Sequence, residues 1–363
     1  MAESIVQIQW AYSNKRQAAY ATRNPDVDID QSHPFEGADI ADHVPNMSDN
    51  AALLGKGHEF ATRNEILSWD VRFRRSFIMT SKIAGWAFAF HCGKVTTVNL
   101  GGSPVAYSHV FEYQDPVGAG FYGSGRQQPA VTIVERVASG LARRFPSCQV
   151  MSVEVTGQLA DWTRIALDMI GSGKKEDASG FTFPDSTNPA TGGEGLGLLR
   201  NAGLLFMHGP SGGVQVDLSC DVRSFRFRSE MSFFETDGYC PGSGYQISGD
   251  PTSGQIRNKL EFGRRAVMLE FVVNASSTTF HTRLEASALT SAVLTTTGAV
   301  ISGANAHLWR VNVPQVKYKS VPIGTDGDQV IYTVTAVIFY DQGLANPFEV
   351  TVVNTTPSYL VSS

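Results

Sequence analysis

Along the chain, apolar and polar residues alternate with period two in many short segments separated by turn residues. Val105, Tyr107, His109, Phe111 and Tyr113 alternate with Ala106, Ser108, Val110 and Glu112, the pattern of a half-buried strand. VIYTVTAVIFY, Val330 to Tyr340, is β-branched and apolar on nearly both faces and predicts a central strand covered on both sides. RRAVMLEFVVN, ending at Asn274, predicts the same, and FEVTVVN, Phe348 to Asn354, a shorter final strand.

Two helices interrupt this pattern. In TSKIAGWAFAFHCG, Thr80 or Ser81 supplies an N-cap, Ile83, Ala87 and Phe90 share a face, and Gly93 suits a left-handed C-terminus. Trp86, Phe88 and Phe90 also fit a strand period. The second helix, TTFHTRLEASAL, has Thr279 as cap and Phe280, Leu284 and Ala288 on one stripe. Each helix is preceded by a strand (VRFRRSF, VMLEFVV) and followed by strand, turn and strand. The order recurs at an offset of 279 − 80 = 199 residues, a domain-sized period. The fold expected is mainly β, with two sandwich-like halves each packed by one helix. Residues 1–65, polar and turn-rich, form an extended arm or loop. Residues 66–175 are the first β domain, 176–200 a Gly-, Ser- and Pro-rich linker, and 201–363 the second β domain.

A shorter echo crosses the two halves. SCQVMSVEV from Ser147 and SCDVRSFRF from Ser219 share S-C-x-V-x-S-apolar-x-apolar at an offset of 219 − 147 = 72, and each runs on to Gly-Ser-Gly, at 171–173 and 242–244. That spacing is too short for a unit containing the helix, so the echo predicts two equivalent long strands. Apolar character changes face within each, from Cys148 and Val150 to Val153 and Val155, and from Cys220 and Val222 to Phe225 and Phe227. A bulge or a strong twist in both is expected. Glu154 stands where Arg226 stands in the other segment, and opposite charges at equivalent positions suit neighbouring strands.

Composition narrows the class. The 363 residues are 42% hydrophobic and only 17% charged, with a net charge of −5 and no block of like charge, which argues against a protein gripping nucleic acid by a basic face. Cys92, Cys148, Cys220 and Cys240 show no C-x-x-C spacing and are expected as free thiols in a reducing cytosol, with no metal or cofactor site. MAESIVQIQW lacks the form of a signal peptide, and IAGWAFAF is too short to cross a bilayer. GPSGG, Gly209 to Gly213, matches the G-x-S-x-G expression of a hydrolase nucleophile, Ser211. A strand follows it rather than a helix, so it is expected as a turn. GSGKK, Gly171 to Lys175, lacks the Gly and the Ser or Thr of a phosphate loop. The histidines have no ligand spacing, and no catalytic residues are expected.

From Tyr107 on, the chain resembles the major tail tube proteins of long-tailed (siphovirus-type) bacteriophages. The stretches are YSHVFEY, PAVTIVERV (129–137), CQVMSVEVTGQLADWTRIALDMIGSGK (148–174), VDLSCDVRSFRFRSEMSFF and FYDQGLANPFEVTVVN, with the helix ending in HCGKV where such proteins place their packing helix. The resemblance implies a non-enzymatic virion protein whose subunits form rings. The rings would stack into a hollow tube in the phage tail, assembled in the host cytoplasm, and the barrel would pass DNA without binding it. Tail tip or baseplate, tape measure and tail terminator proteins are the implied partners. Two tube-like halves favour three copies per ring, a pseudo-hexamer, over six. Lumen-facing acidic candidates are Glu154, Asp161, Asp168, Glu230 and Glu235, the alternative being that they face solvent or pair with Arg164, Arg226 or Arg228. Competing classes are another virion β-protein (a terminator, baseplate ring or capsid decoration), or a carbohydrate-binding sandwich using Trp10, Trp162 or Trp309.

Overall fold

In a computed structural model, described over residues 8–20, 22–36, 40–53, 59–137, 140–184, 198–199, 204–235, 238–239, 254–275 and 278–363, the alternating segments become strands. They are β1 (Ile8–Tyr12), β2 (Gln31–Ser32), β3 (Asp42–Leu53), β4 (Glu59–Ile78), β5 (Gly93–Gly101), β6 (Ala106–Tyr113), β7 (Val131–Val137), β8 (Leu141–Gln158) and β9 (Arg164–Gly171). There follow β10 (Glu176–Asp177), β11 (Leu204–Pro210), β12 (Val216–Asp217), β13 (Val222–Phe233), β14 (Phe262–Asn274), β15 (Thr290–Ser302) and β16 (Asn305–Ser320). The last are β17 (Ile323–Asp326), β18 (Gln329–Ile338) and β19 (Glu349–Asn354), with helices α1 (Ser81–Cys92) and α2 (Thr279–Glu285). The protein is mainly β, and every strand pairing between these elements is antiparallel.

Eight strands form one long sheet in the order β3-β4-β9-β8-β13-β14-β18-β17. A second sheet, β5-β6-β19-β16-β15-β11-β12, packs over it. A small third layer, β2-β1-β7, continues through the first part of β8 to β10. The long sheet has an internal repeat: β4, β9 and the later part of β8 follow one another as β14, β18 and the edge formed by the end of β16 with β17 do. The two units meet at β8 and β13, where seven residue pairs run from Ser224–Gln158 to Glu230–Ser152.

Helix α1 lies between the sheets. The Thr80 hydroxyl accepts from the Ile83 N–H at 3.1 Å, and Gly93 closes the helix at φ 83°. Every residue of α1 except Lys82 is buried, so it has no polar side and no amphipathic stripe. Trp86 donates to the Ser13 carbonyl at 2.9 Å, and Phe88 packs near Phe227 and Trp309. Gly85 admits the Tyr359 ring: a Cβ there would lie 2.4 Å from its hydroxyl.

The layout differs from the expected one in several places. The two halves share one hydrophobic core, containing Trp86 and Phe111 as well as Phe227 and Trp309, rather than holding one each. β19 pairs with β6 of the first half and β16 of the second, which fuses the outer layers. The described part of residues 1–65 is not simply an extended arm or loop. β1 pairs with β7 and buries Trp10 and Tyr12 against Trp86 of α1, and residues 42–53 form the first strand of a long hairpin with β4. Val6, Ile8, Trp10 and Tyr12 alternate with Gln7, Gln9 and Ala11, a strand period within the polar stretch, whereas the apolar residues of 42–53 are too sparse to show one. Within 176–200, β10 pairs with β8, and Ala178 and Phe181 pack with Ala11, Ile29 and Val134; residues 185–197 and 200 lie outside the described residues. Thr279 is the first residue of α2, with Thr278 in the cap position and making no side-chain cap bond. β18 and β14 are covered on one face only: Thr333, Thr335 and Glu270 stand on the open side.

The two echoing segments are hydrogen-bonded neighbours. Both carry register shifts, at Val150–Ser152 and at Val222–Ser224, so the apolar change of face reflects local bulges. Cys220 is exposed and precedes its strand, because residues 219–221 turn into β13. The second Gly-Ser-Gly lies outside the described residues, as does Cys240, while Cys92 and Cys148 are buried free thiols.

Candidate functional site

One face of the long sheet packs on α1 and the core; the other is open. Alternation places Arg72, Arg74 and Ser76 of β4, Ala166 and Asp168 of β9, and Ser152, Glu154 and Thr156 of β8 on the open face. The face continues with Arg226, Arg228 and Glu230 of β13 and Met268 and Glu270 of β14. Cross-strand register lines these into rows: Arg74 faces Asp168, which faces Ser152, which faces Glu230. In the next rows Glu154 faces Arg228, and Arg226 faces Glu270.

Glu154 is the hub. Its carboxylate lies 2.7 Å from Arg226, 3.6 Å from Arg74 and 3.9 Å from Arg228. Arg226 reaches on to Glu270 at 3.3 Å, Arg228 to Glu230 at 2.8 Å and Arg74 to Asp168 at 3.9 Å. Ser152 also donates to Asp168 at 2.5 Å. A depression of about 520 Å³ lies within this lattice, lined by Ser152, Asp168, Arg228, Glu230, Arg264 and Met231.

Three of the five acidic candidates, Glu154, Asp168 and Glu230, are thus brought onto one surface. The other two are not. Asp161 follows the end of β8, where Arg164 and the Trp162 N–H hold its carboxyl below the usual carboxylate range; Arg164 also meets Glu36 at 2.9 Å. Glu235 follows β13 and pairs with Arg72 and, at 3.5 Å, with Arg257. Unopposed acidic repulsion is not what these side chains offer, since every one sits against an arginine. On the open sheet Arg74, Arg226 and Arg228 interleave with Glu154, Asp168, Glu230 and Glu270, and Arg264 lines the depression beside them. Glu270 and Arg74 escaped sequence reasoning. Glu270 lies in a segment so apolar that it predicted two covered faces, and the alternation of Arg72 and Arg74 with Phe73 was the signal for the other.

Among the described residues both ends of this sheet are bare: β3 pairs only with β4, and β17 only with β18. Each edge exposes apolar side chains: Val44 (44%) and Met47 on β3, Ile323 (62%) and Val330 at the other end.

The remaining motifs serve the fold. Ser211 lies in a turn closed from Gly213 N–H to the Pro210 carbonyl, and its hydroxyl donates to the Pro314 carbonyl at 2.9 Å. Gly173 of GSGKK, at φ 93°, lets the chain pass against the Trp69 carbonyl. His91 sits 2.6 Å from the Ser229 hydroxyl, and His109 lies between Thr97 and the Thr356 carbonyl. Trp10 and Trp309 are buried in the core, out of reach of a sugar, and Trp162 is half-buried.

No family model and no curated protein matches the chain. Among solved structures it is similar to the Hcp1 protein from the E. coli EAEC 042 pathovar, in a doubly substituted form. The two are 12% identical over 37% of this chain and 84% of that one, with a TM-score of 0.22. A likeness at that level carries no argument about function.

Proposed function

We propose that the protein is a structural subunit that joins copies of itself edge to edge into rings, and that stacked rings form the hollow tail tube of a long-tailed bacteriophage. The observation that supports this is the β8–β13 joint. Within one chain, the edge of one four-strand unit pairs antiparallel with the first strand of the next. The same two kinds of edge, β17 with the end of β16 at one end and β3 at the other, are left over at the ends of the sheet. A copy that met its neighbour as β13 meets β8 would extend the sheet, and closure would remove both bare edges of the long sheet.

Three copies would contribute six such units to a ring, which favours the trimeric pseudo-hexamer over six chains. The open face would line the channel through which DNA passes to the host. The tube would sit in the virion tail after assembly in the host cytoplasm, meeting tail tip or baseplate, tape measure and tail terminator proteins. Electron microscopy of negatively stained, purified protein tests it. Hollow tubes are expected, and a persistent monomer at high concentration overturns it. Mass photometry of unstacked rings then separates three copies from six.

A further inference from the structure

Arg226 is held from both sides, by Glu154 on β8 at 2.7 Å and by Glu270 on β14 at 3.3 Å, and Arg228 is held by Glu230 at 2.8 Å. None of these arginines is deeply buried; the side chains of Arg74, Arg226 and Arg228 are 49%, 37% and 32% exposed. A guanidinium presents a planar fork of donors that fits a phosphate as well as a carboxylate. Exposed ion pairs contribute little net free energy, so the guanidinium groups stay within reach of a competing anion, though each is already paired.

We propose that the open face of the long sheet is a self-masked polyanion surface. It carries arginines in the spacing of adjacent strands, and Glu154 and Glu270 stand in as their fixed counter-ions. A phosphate polymer lying on this face meets guanidinium groups already neutralised by attached carboxylates. To pair with Arg226 it must displace both, and each displaced carboxylate stays beside the phosphate it would repel. The favourable release of mobile counter-ions that drives phosphate binding is therefore largely offset, and contact is made without retention. The proposal rests on the tube reading for what brings a polyanion to this face; the masking itself belongs to the single chain.

The test uses the unassembled full-length chain and a fluorescently labelled DNA duplex, read by anisotropy in 50 mM salt. Wild type is expected to bind weakly or not at all. Glu154→Gln with Glu270→Gln, which keeps side-chain size, should bind at least tenfold more tightly. For about two phosphate contacts that gain should fall roughly tenfold when salt is raised to 200 mM. Asp328→Asn with Glu285→Gln removes the same charge away from this face and should stay at the wild-type level. Adding Arg226→Gln to the first pair should return it to wild type. Equal binding by the two double variants, or tight binding by wild type, overturns the proposal. Should the first pair not fold, Glu270→Gln alone is read the same way, with about a threefold gain expected. Micrographs of the wild-type preparation are scored separately, so an absence of tubes would remove the tube reading without altering the binding result.

Discussion

Arg226 Nη2 lies 2.7 Å from Glu154 Oε2 across the joint of β8 and β13, and the two residues occupy matching places, 72 positions apart, in the two echoing segments. The echo thus marks the seam where one half of the long sheet is sewn to the other. Replacing each by Ala, singly and together, should give a coupling free energy of about 1 kcal/mol in a double-mutant cycle by urea unfolding. A coupling near zero would mean that backbone pairing alone carries the seam.

Glu135 is buried with Arg75 and takes a second arginine, Arg143, at 2.5 Å; it also accepts the Ala41 N–H at 3.1 Å. Glu135→Gln should leave Arg75 buried without its counter-charge and cost about 3–5 kcal/mol. The measurement is the shift in denaturant midpoint at unchanged slope.

Gly85 faces Tyr359, whose hydroxyl sits 2.9 Å from the Asn354 side-chain nitrogen. Gly85→Ala should destabilise by about 1–3 kcal/mol through overpacking. Combining it with Tyr359→Ala should recover part of that loss, and strict additivity of the two changes would refute the contact as the cause.

Burial lowers the pKa of His33 and His91 to about 3, and of His208 and His307 to about 4, against an ordinary value of 6.5. A depressed folded-state value means that the unfolded chain binds protons first as pH falls. The stability is therefore fully present above about pH 6.5 and is lost on acidification toward the folded values. Each histidine contributes about 1.4 kcal/mol per pH unit in that window. The chain should unfold between about pH 5.5 and 4, and His91→Gln should flatten the slope of unfolding free energy against pH.

Val44→Lys and Ile323→Lys place charges on the two bare edges of the long sheet. Each should abolish assembly in electron micrographs while moving the melting temperature of the single chain by no more than about 2 °C. Tubes formed by both variants would show that these edges are not where copies meet.

The strands were legible because one-sided burial imposes alternation, as on β6 from Ala106 to Tyr113. The ends of α1 were legible too, since Thr80 and Gly93 do local work that needs no partner. What was hidden depends on long-range neighbours. Trp10 and Tyr12 are buried against Trp86 of α1, more than seventy residues away, and the alternation of Val6, Ile8, Trp10 and Tyr12 that marks their strand stands at the head of an otherwise polar stretch. The candidate face was half visible: Glu154 and Arg226 stand out in the echo, but the contact of Arg226 with Glu270 follows only from the pairing of β13 with β14.

β19 carries a further consequence. Val350 pairs with Phe111, and Thr351 with both Val110 and Arg310, so one six-residue strand closes the gap between the outer layers of the two halves. A ribosome makes it after every strand it joins, and β6 must wait for more than two hundred residues of synthesis to gain that neighbour. Prematurely terminated chains lacking this strand would leave the edges of β6 and β16 unclosed and the outer layers of the two halves unjoined. A chain stopped before Phe348 therefore lacks the strand that ties the outer layer of the first half to that of the second.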